Sequence, residues 1–229
     1  MEQKIQALME ILPHMVRHEV FRIGPLSVTT TVINTWVVMA VLFITVFLLT
    51  RRLSDKPRGA QTILELAVGF FYYLIDEGLG KSGRKYLPIV GTLFIFILFL
   101  NLSWFIPNMV PPTTDLMTTA ALAITTIIIV QIMGIREQGL GGYLKNFAKP
   151  IPLMLPLNIL EEFVKPFSLA IRLFGNLFGE KMVTSIFFVL VPLLVPIPLM
   201  ALGVLMGTIQ AFIFTLLTVT YLATATHGH

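Results

Sequence analysis

The sequence has no cysteine and only four histidines among its 229 residues. The absence of cysteine excludes disulfides, thiolate metal sites and cysteine nucleophiles. No histidine lies between His18 and His227, so the long apolar part of the chain cannot hold a serine–histidine or histidine–metal centre. These absences remove the catalytic groups that a membrane hydrolase would need.

Charge is also scarce. Only 12% of the residues are charged and 56% are hydrophobic, which is the composition of a polytopic membrane protein. We therefore expect a single membrane domain, 1–229, without a soluble domain. The net charge of +4 is small, and we interpret it as loop charge that orients the chain, not as a surface for nucleic acid.

The apolar stretches predict an all-α polytopic membrane protein with about five membrane helices. The predicted spans are 28–50, 87–106, 117–134, 156–190 and 199–225. Residues 59–80 carry Glu65, Asp76 and Glu77 within an apolar pattern, so we expect a helix at the membrane interface there.

Basic residues predict the orientation. The segment Arg51–Arg58 has four basic residues against Asp55, which places it in the cytoplasm by the positive-inside rule. The N-terminal segment 1–27, in which we expect a short amphipathic helix at 3–18, is then external, and the C-terminus is cytoplasmic. We expect a multi-pass protein of a bacterial plasma membrane.

The last third of the chain differs from the peripheral helices of 28–150. A helix over 156–190 would be roughly 50 Å long, against a hydrocarbon core of about 30 Å. We therefore expect 151–229 to form a long, steeply tilted helical hairpin that faces a partner in the membrane.

This predicted hairpin carries an arginine at membrane depth. A guanidinium stays charged, because its pKa is above about 12, and a mid-membrane position costs it about 2.5 kcal/mol or more. Arg172 therefore either snorkels to a surface or faces protein, water or a partner's carboxylate. Glu161 precedes it by three helical turns, and Asn176 and Glu180 follow it by one and two turns. On the last helix, Gln210 lies midway along an apolar run.

Each of these polar residues also has a structural interpretation. Glu180 could pair with Lys181, and Glu161 and Glu162 could be a solvated helix start. Asn176 and Gln210 could be interhelical hydrogen-bond partners, and Asp115 could be an ordinary turn residue.

The segment Ser168-Leu-Ala-Ile-Arg-Leu-Phe-Gly-Asn176 resembles the signature of subunit a of the rotary F-type ATP synthases, and the resemblance extends over nearly the whole chain. The other matching segments are Gly83–Phe94 with Asn101-Leu102 in the second span, Pro112–Thr119 in the external turn, and Gln210–Leu222 in the last helix.

The resemblance implies a stator subunit that conducts protons and has no active site of its own. Protons, with Na⁺ less expected, would reach a carboxylate on a rotating c ring through two offset half-channels that an essential arginine separates. The implied site residues are Arg172 as that arginine, Asn176 and Gln210 flanking it, Glu180 in the external half-channel, Asp115 near its mouth, and Glu161 or Glu162 near the cytoplasmic half-channel.

The implied partners are the c ring, the peripheral-stalk b subunits, the rest of the complex and membrane lipid, and no cofactor or metal is implied. Some family members carry a second titratable residue where this chain has Gly203, so Glu180 would act without that partner or with water in the space that the glycine leaves. The rival interpretation is a stand-alone ion-coupled secondary transporter. Such proteins often show internal repeats, and the sequence shows none.

Overall fold

A computed structural model describes residues 19–23, 26–51, 59–106, 109–147, 153, 155–190 and 196–227. The predicted helix at 3–18, most of the basic loop 51–58 and the start of the break after residue 190 lie outside the described residues. Within those ranges the chain is almost entirely helical, and the prediction of an all-α membrane protein is confirmed.

Two short strands precede the helices. The elements are β1 (Glu19–Ile23), β2 (Leu26–Thr29), α1 (Thr30–Thr50), α2 (Ala60–Leu79), α3 (Leu87–Leu102), α4 (Leu116–Phe147), α5 (Leu155–Leu190) and α6 (Pro196–His227). The strands pair antiparallel, with Phe21 opposite Val28. The sequence analysis did not predict this pair, although its aromatic and β-branched residues favour a pleated strand.

Four helices of the described chain are long and apolar enough to cross a membrane: α1, α3 with its flanking turns, α4 and α6. By composition α5 does not stand out as a span, because it carries Glu161, Glu162, Lys165, Arg172, Glu180 and Lys181. The predicted number of five membrane helices therefore stays a prediction.

Helix α4 is longer than the predicted span 117–134. The helical segment continues to Phe147, where the sequence analysis expected a loosened loop, and it is interrupted at Gly139. Gly139 has φ +71°, a left-handed conformation that glycine adopts without steric cost. The segment thus consists of two helices that meet in a kink at one glycine.

The core lies where α6 packs against α2, α3, α4 and α5. One buried cluster joins α2, α3, α4 and the C-terminal half of α6, and includes Ile75, Val90, Val130 and Leu222. A second cluster joins α3, α4, α5 and the middle of α6, and includes Ile97, Ile127, Leu173 and Phe214. By contrast, Val38 is the buried residue of α1, so this helix leaves most of its apolar surface exposed.

Helices α5 and α6 form the predicted hairpin. Helix α5 has 36 residues and is therefore about 54 Å long, which exceeds a hydrocarbon core of about 30 Å. Pro166 lies inside α5 without ending it, and its missing N–H leaves the carbonyl of Glu162 without a helical donor.

Candidate functional site

Arg172 lies near the middle of α5 and is half-buried. Its neighbours Leu169 and Leu173 are 1% and 0% exposed and belong to the core. Within the described ranges, the guanidinium makes no ion pair and no hydrogen bond. An uncompensated permanent cation is thus held at the edge between the protein core and the outer face of α5.

One turn beyond Arg172, α5 is linked to α6. The side chain of Asn176 donates a hydrogen bond of 2.7 Å to Oε1 of Gln210. Gln210 is 1% exposed, yet its own Nε2 donor has no partner among the described residues. The structure therefore brings together the two predicted flanking residues, as interhelical partners, and leaves one buried donor free.

Two turns beyond Arg172, the Glu180 carboxylate lies directly against Gly203 of α6. A Cβ atom at position 203 would be 1.8 Å from Oε1 and 2.5 Å from Cδ of Glu180. The carboxylate itself therefore occupies the space that glycine leaves. In the described part of the chain Glu180 forms no ion pair with Lys181, so the structural interpretation of Glu180 as one half of that pair is not supported.

On the other side of Arg172, the two predicted carboxylates surround a lysine. Nζ of Lys165 contacts Glu162 and lies 3.5 Å from Glu161. Glu162 also accepts a hydrogen bond from Nε2 of Gln131 on α4. Glu161 is 64% exposed, while Lys165 is only 11% exposed, so the lysine is the enclosed member of the cluster.

Tyr221 of α6 completes this cluster. Nζ of Lys165 lies 5.4 Å from the centre of its ring, and its phenol is within electrostatic range of Arg172 and both glutamates. The sequence analysis did not assign roles to Lys165, Tyr221 or Gln131. Tyr221 follows Gln210 by three turns on the same face of α6, which is the signal that could have identified it.

Asp115 lies apart from these groups, just before the start of α4. Its Oδ1 accepts the backbone N–H of Met117 at 2.9 Å, and its carbonyl accepts that of Thr119. Asp115 is thus the N-cap of α4, whereas its structural interpretation from the sequence was an ordinary turn residue. Gln131 of α4 meets Glu162 near the start of α5. The turn Pro112–Thr114, about 25 Å back along α4, also packs against α5, so Asp115 is at the Glu180 end of the hairpin.

Unpartnered polar atoms collect at the same end. Four buried side-chain atoms of the described chain have no hydrogen-bond partner: Oδ1 of Asn101, Oγ1 of Thr113, Oγ1 of Thr184 and Nε2 of Gln210. The amide of Asn101 meanwhile donates to the carbonyl of Gly207 on α6. Buried polar atoms without protein partners are positions at which ordered water binds.

Comparison with known proteins identifies the family. Residues 32–223 match the family described as ATP synthase A chain. The chain belongs to the ATP synthase subunit a family. It is 60% identical over 218 residues to ATP synthase subunit a of Moorella thermoacetica, covering 95% of this chain and all of that protein.

Two further relatives match over most of their length. ATP synthase subunit a 1 of Syntrophotalea carbinolica is 46% identical, covering 85% of this chain and 84% of that protein. ATP synthase subunit a 2 of a Bradyrhizobium species is 44% identical, covering 90% and 92%. With four apolar helices of spanning length, this subunit a family member is a multi-pass membrane subunit of an F-type ATP synthase.

Proposed function

We propose that this chain is the proton-translocating stator subunit of the complex. It provides two offset half-channels to a carboxylate on the c ring, and Arg172 separates them. The observation that supports this most directly is the uncompensated charge of Arg172 in the described chain, between polar groups on either side along α5. A buried cation without a counterion is costly, and a partner's carboxylate would compensate it.

The surface beside Arg172 suits close approach by such a partner. Gly175 and Gly179 are exposed, and a Cβ atom at either position would meet nothing within 4 Å. On a helix these glycines lie within about 60° of Arg172. A ring helix could therefore come near the guanidinium, whose charge would lower the pKa of its carboxyl and favour release of the proton.

The external half-channel would run past Glu180 towards Asp115. The unpartnered atoms of Asn101, Thr184 and Gln210 support water at this end. The cytoplasmic half-channel would begin near Glu161, whose carboxylate is largely exposed. Because Arg172 lies between the two ends, a proton could not pass straight through without the ring.

The arrangement of the helix ends supports an external N-terminus and a cytoplasmic C-terminus. Lys85, before α3, contacts Glu137 on α4, and Gln138 donates to the carbonyl of Ala225 near the end of α6. These ends share one side of the bundle with Arg136, as the positive-inside rule requires of a cytoplasmic side. At the opposite side, Asn34 of α1 donates to the carbonyl of Val110.

The same proposal assigns the partners and the membrane. The c ring would face α5, and the exposed apolar surface of α1 is available to lipid and to the peripheral-stalk b subunits. The bacterial sources of the relatives support a bacterial plasma membrane. Protons are the proposed ion.

The test compares Arg172→Ala with Arg136→Ala, an exposed arginine on α4, in vesicles that contain the assembled complex. ATP-driven pumping should be lost in Arg172→Ala, while passive proton leak through the membrane sector is kept or raised. Arg136→Ala should pump as the wild type does. Near wild-type pumping by Arg172→Ala, in a complex that assembles, would mean that the ion path lies elsewhere.

A further inference from the structure

Arg172 shares its face of α5 with a second cation. Lys165 precedes it by seven residues, which on a helix is about two turns, about 10 Å along the axis and about 20° around it. Lys181, nine residues after Arg172, lies about 180° around the helix on the opposite face. Two cations therefore lie along one face of α5, and they are not equally available to a partner.

Lys165 is enclosed where Arg172 is not. Its Nζ contacts Glu162, lies 3.5 Å from Glu161 and lies 5.4 Å from the ring centre of Tyr221. Glu162 in turn accepts a hydrogen bond from Gln131. Carboxylates and an aromatic face are the groups that stabilise an ammonium ion, so the charge of Lys165 is compensated within the chain by groups from α5 and α6.

We propose that Glu162, together with Glu161 and Tyr221, neutralises Lys165 so that Arg172 is the one cation on this face that attracts the ring carboxylate. The inference rests on the proposed function and adds a positioning role for the cluster. An uncompensated ammonium about 10 Å from Arg172 would offer the carboxylate a second stopping point in a medium of low dielectric constant. The ring would then pause between two cations.

The charge of Glu162 is the one to remove, because Glu161 is 64% exposed and more screened by water. In vesicles with the whole complex, Glu162→Gln should lower ATP-driven proton pumping by about tenfold, which corresponds to about 1.4 kcal/mol of barrier. The second substitution Lys165→Gln should restore most of the loss, because it removes the unpaired cation. Glu65→Gln, at an exposed position of α2, controls for a carboxylate-to-amide change elsewhere.

Rescue separates this inference from its alternative. If Glu162 were itself a proton carrier of the cytoplasmic half-channel, the double variant Glu162→Gln/Lys165→Gln would pump no faster than Glu162→Gln, and the inference would be overturned. Unchanged pumping by Glu162→Gln would overturn it as well. Arg172→Ala in the same vesicles reports separately on the proposed function, since its loss of pumping does not depend on Lys165.

A second variant addresses the case in which Glu162→Gln does not assemble. Tyr221→Leu removes the aromatic face and keeps both carboxylates. It should lower pumping in the same direction, and Lys165→Gln should again restore it. A loss that Lys165→Gln leaves in place would show that Tyr221 acts in another way and would contradict the inference.

Discussion

Substitution of Gly203 by alanine tests how the Glu180 carboxylate is positioned. The new Cβ would be 1.8 Å from Oε1, 2.5 Å from Cδ and 3.0 Å from Oε2 of Glu180. Non-bonded heavy atoms are comfortable at about 3.5 Å, so the carboxylate would have to retreat by about 1.5 Å or more. Since the obstacle is the end of a flexible side chain, the change in rotamer should cost only about 1 kcal/mol.

The effect on transport should be larger than the effect on stability. Proton transfer depends on the spacing of donor and acceptor, and a displacement of about 1 Å can cost as much as a hundredfold in rate. We expect Gly203→Ala to lower ATP-driven pumping by about tenfold or more in vesicles, at a nearly unchanged level of assembled complex. The variant Gly203→Ala/Glu180→Asp should recover part of the rate, because the shorter side chain fits beside the new methyl group.

Gly69→Ala is the matched control, because it adds a methyl group at an exposed position of α2 where nothing lies within 4 Å. The reasoning is refuted if Gly203→Ala pumps as fast as Gly69→Ala while Glu180→Gln is inactive. In that case the carboxylate would be needed, but its position against Gly203 would not matter.

Three further predictions concern stability. Asn176→Leu should lower the free energy of thermal unfolding by about 1–3 kcal/mol, because it leaves the buried Oε1 of Gln210 without a donor. A decrease of less than about 0.5 kcal/mol would show that water replaces the lost donor. Asp115→Ala should destabilise the protein by about 1 kcal/mol more than Asp115→Asn does, because asparagine keeps the helix cap. If Asp115→Asn by itself lowers pumping, the charge of Asp115 acts at the mouth of the external half-channel. Arg84 donates two hydrogen bonds to Asp76, one of 2.8 Å to Oδ1 and one of 2.5 Å to Oδ2. These hydrogen bonds hold the pKa of Asp76 below its usual value. This pair therefore stabilises the junction of α2 with α3 above the ordinary carboxyl pKa, and the stabilisation is lost as the pH falls through the lowered value. Limited proteolysis should become acid-sensitive in the wild type but not in Asp76→Asn, and equal sensitivity would argue against the pair.

The sequence allowed prediction of features that depend on one segment at a time. Apolar runs predicted the helices and the hairpin, and the isolated charge of Arg172 marked the centre of the candidate site. The extension of α4 to Phe147 was missed because the polar residues and glycines after residue 134 indicated a loop. In the structure only Gly139 leaves the helical conformation, and the residues after it are helical again. The strands Glu19–Ile23 and Leu26–Thr29 were missed because short alternating patterns give weak signals.

Contacts between helices required the structure. Three contacts depend on the register between helices that are far apart in the sequence. They are Glu180 with Gly203, Lys165 with Tyr221, and Glu162 with Gln131. Sequence spacing along α5 alone cannot supply that register.

For two of the contacts between α5 and α6, however, a simple rule accounts for the register. Antiparallel helices of equal rise place residues at one level when these are equally distant from the middle of the connection. The connection between Leu190 and Pro196 is centred on position 193. Lys165 and Tyr221 are each 28 residues from that position, and they are in contact. Asn176 and Gln210 are each 17 residues from it, and they are hydrogen-bonded.

The same rule places Phe214 at the level of Arg172. Phe214 is 0% exposed and belongs to the apolar core, so α6 offers no carboxylate where the guanidinium lies. Above and below that level, α6 supplies Gln210 and Tyr221 to polar groups of α5. The hairpin thus provides a polar partner one turn beyond Arg172 and another at Lys165, but none at Arg172 itself, as expected if the counterion comes from a second protein that moves past it.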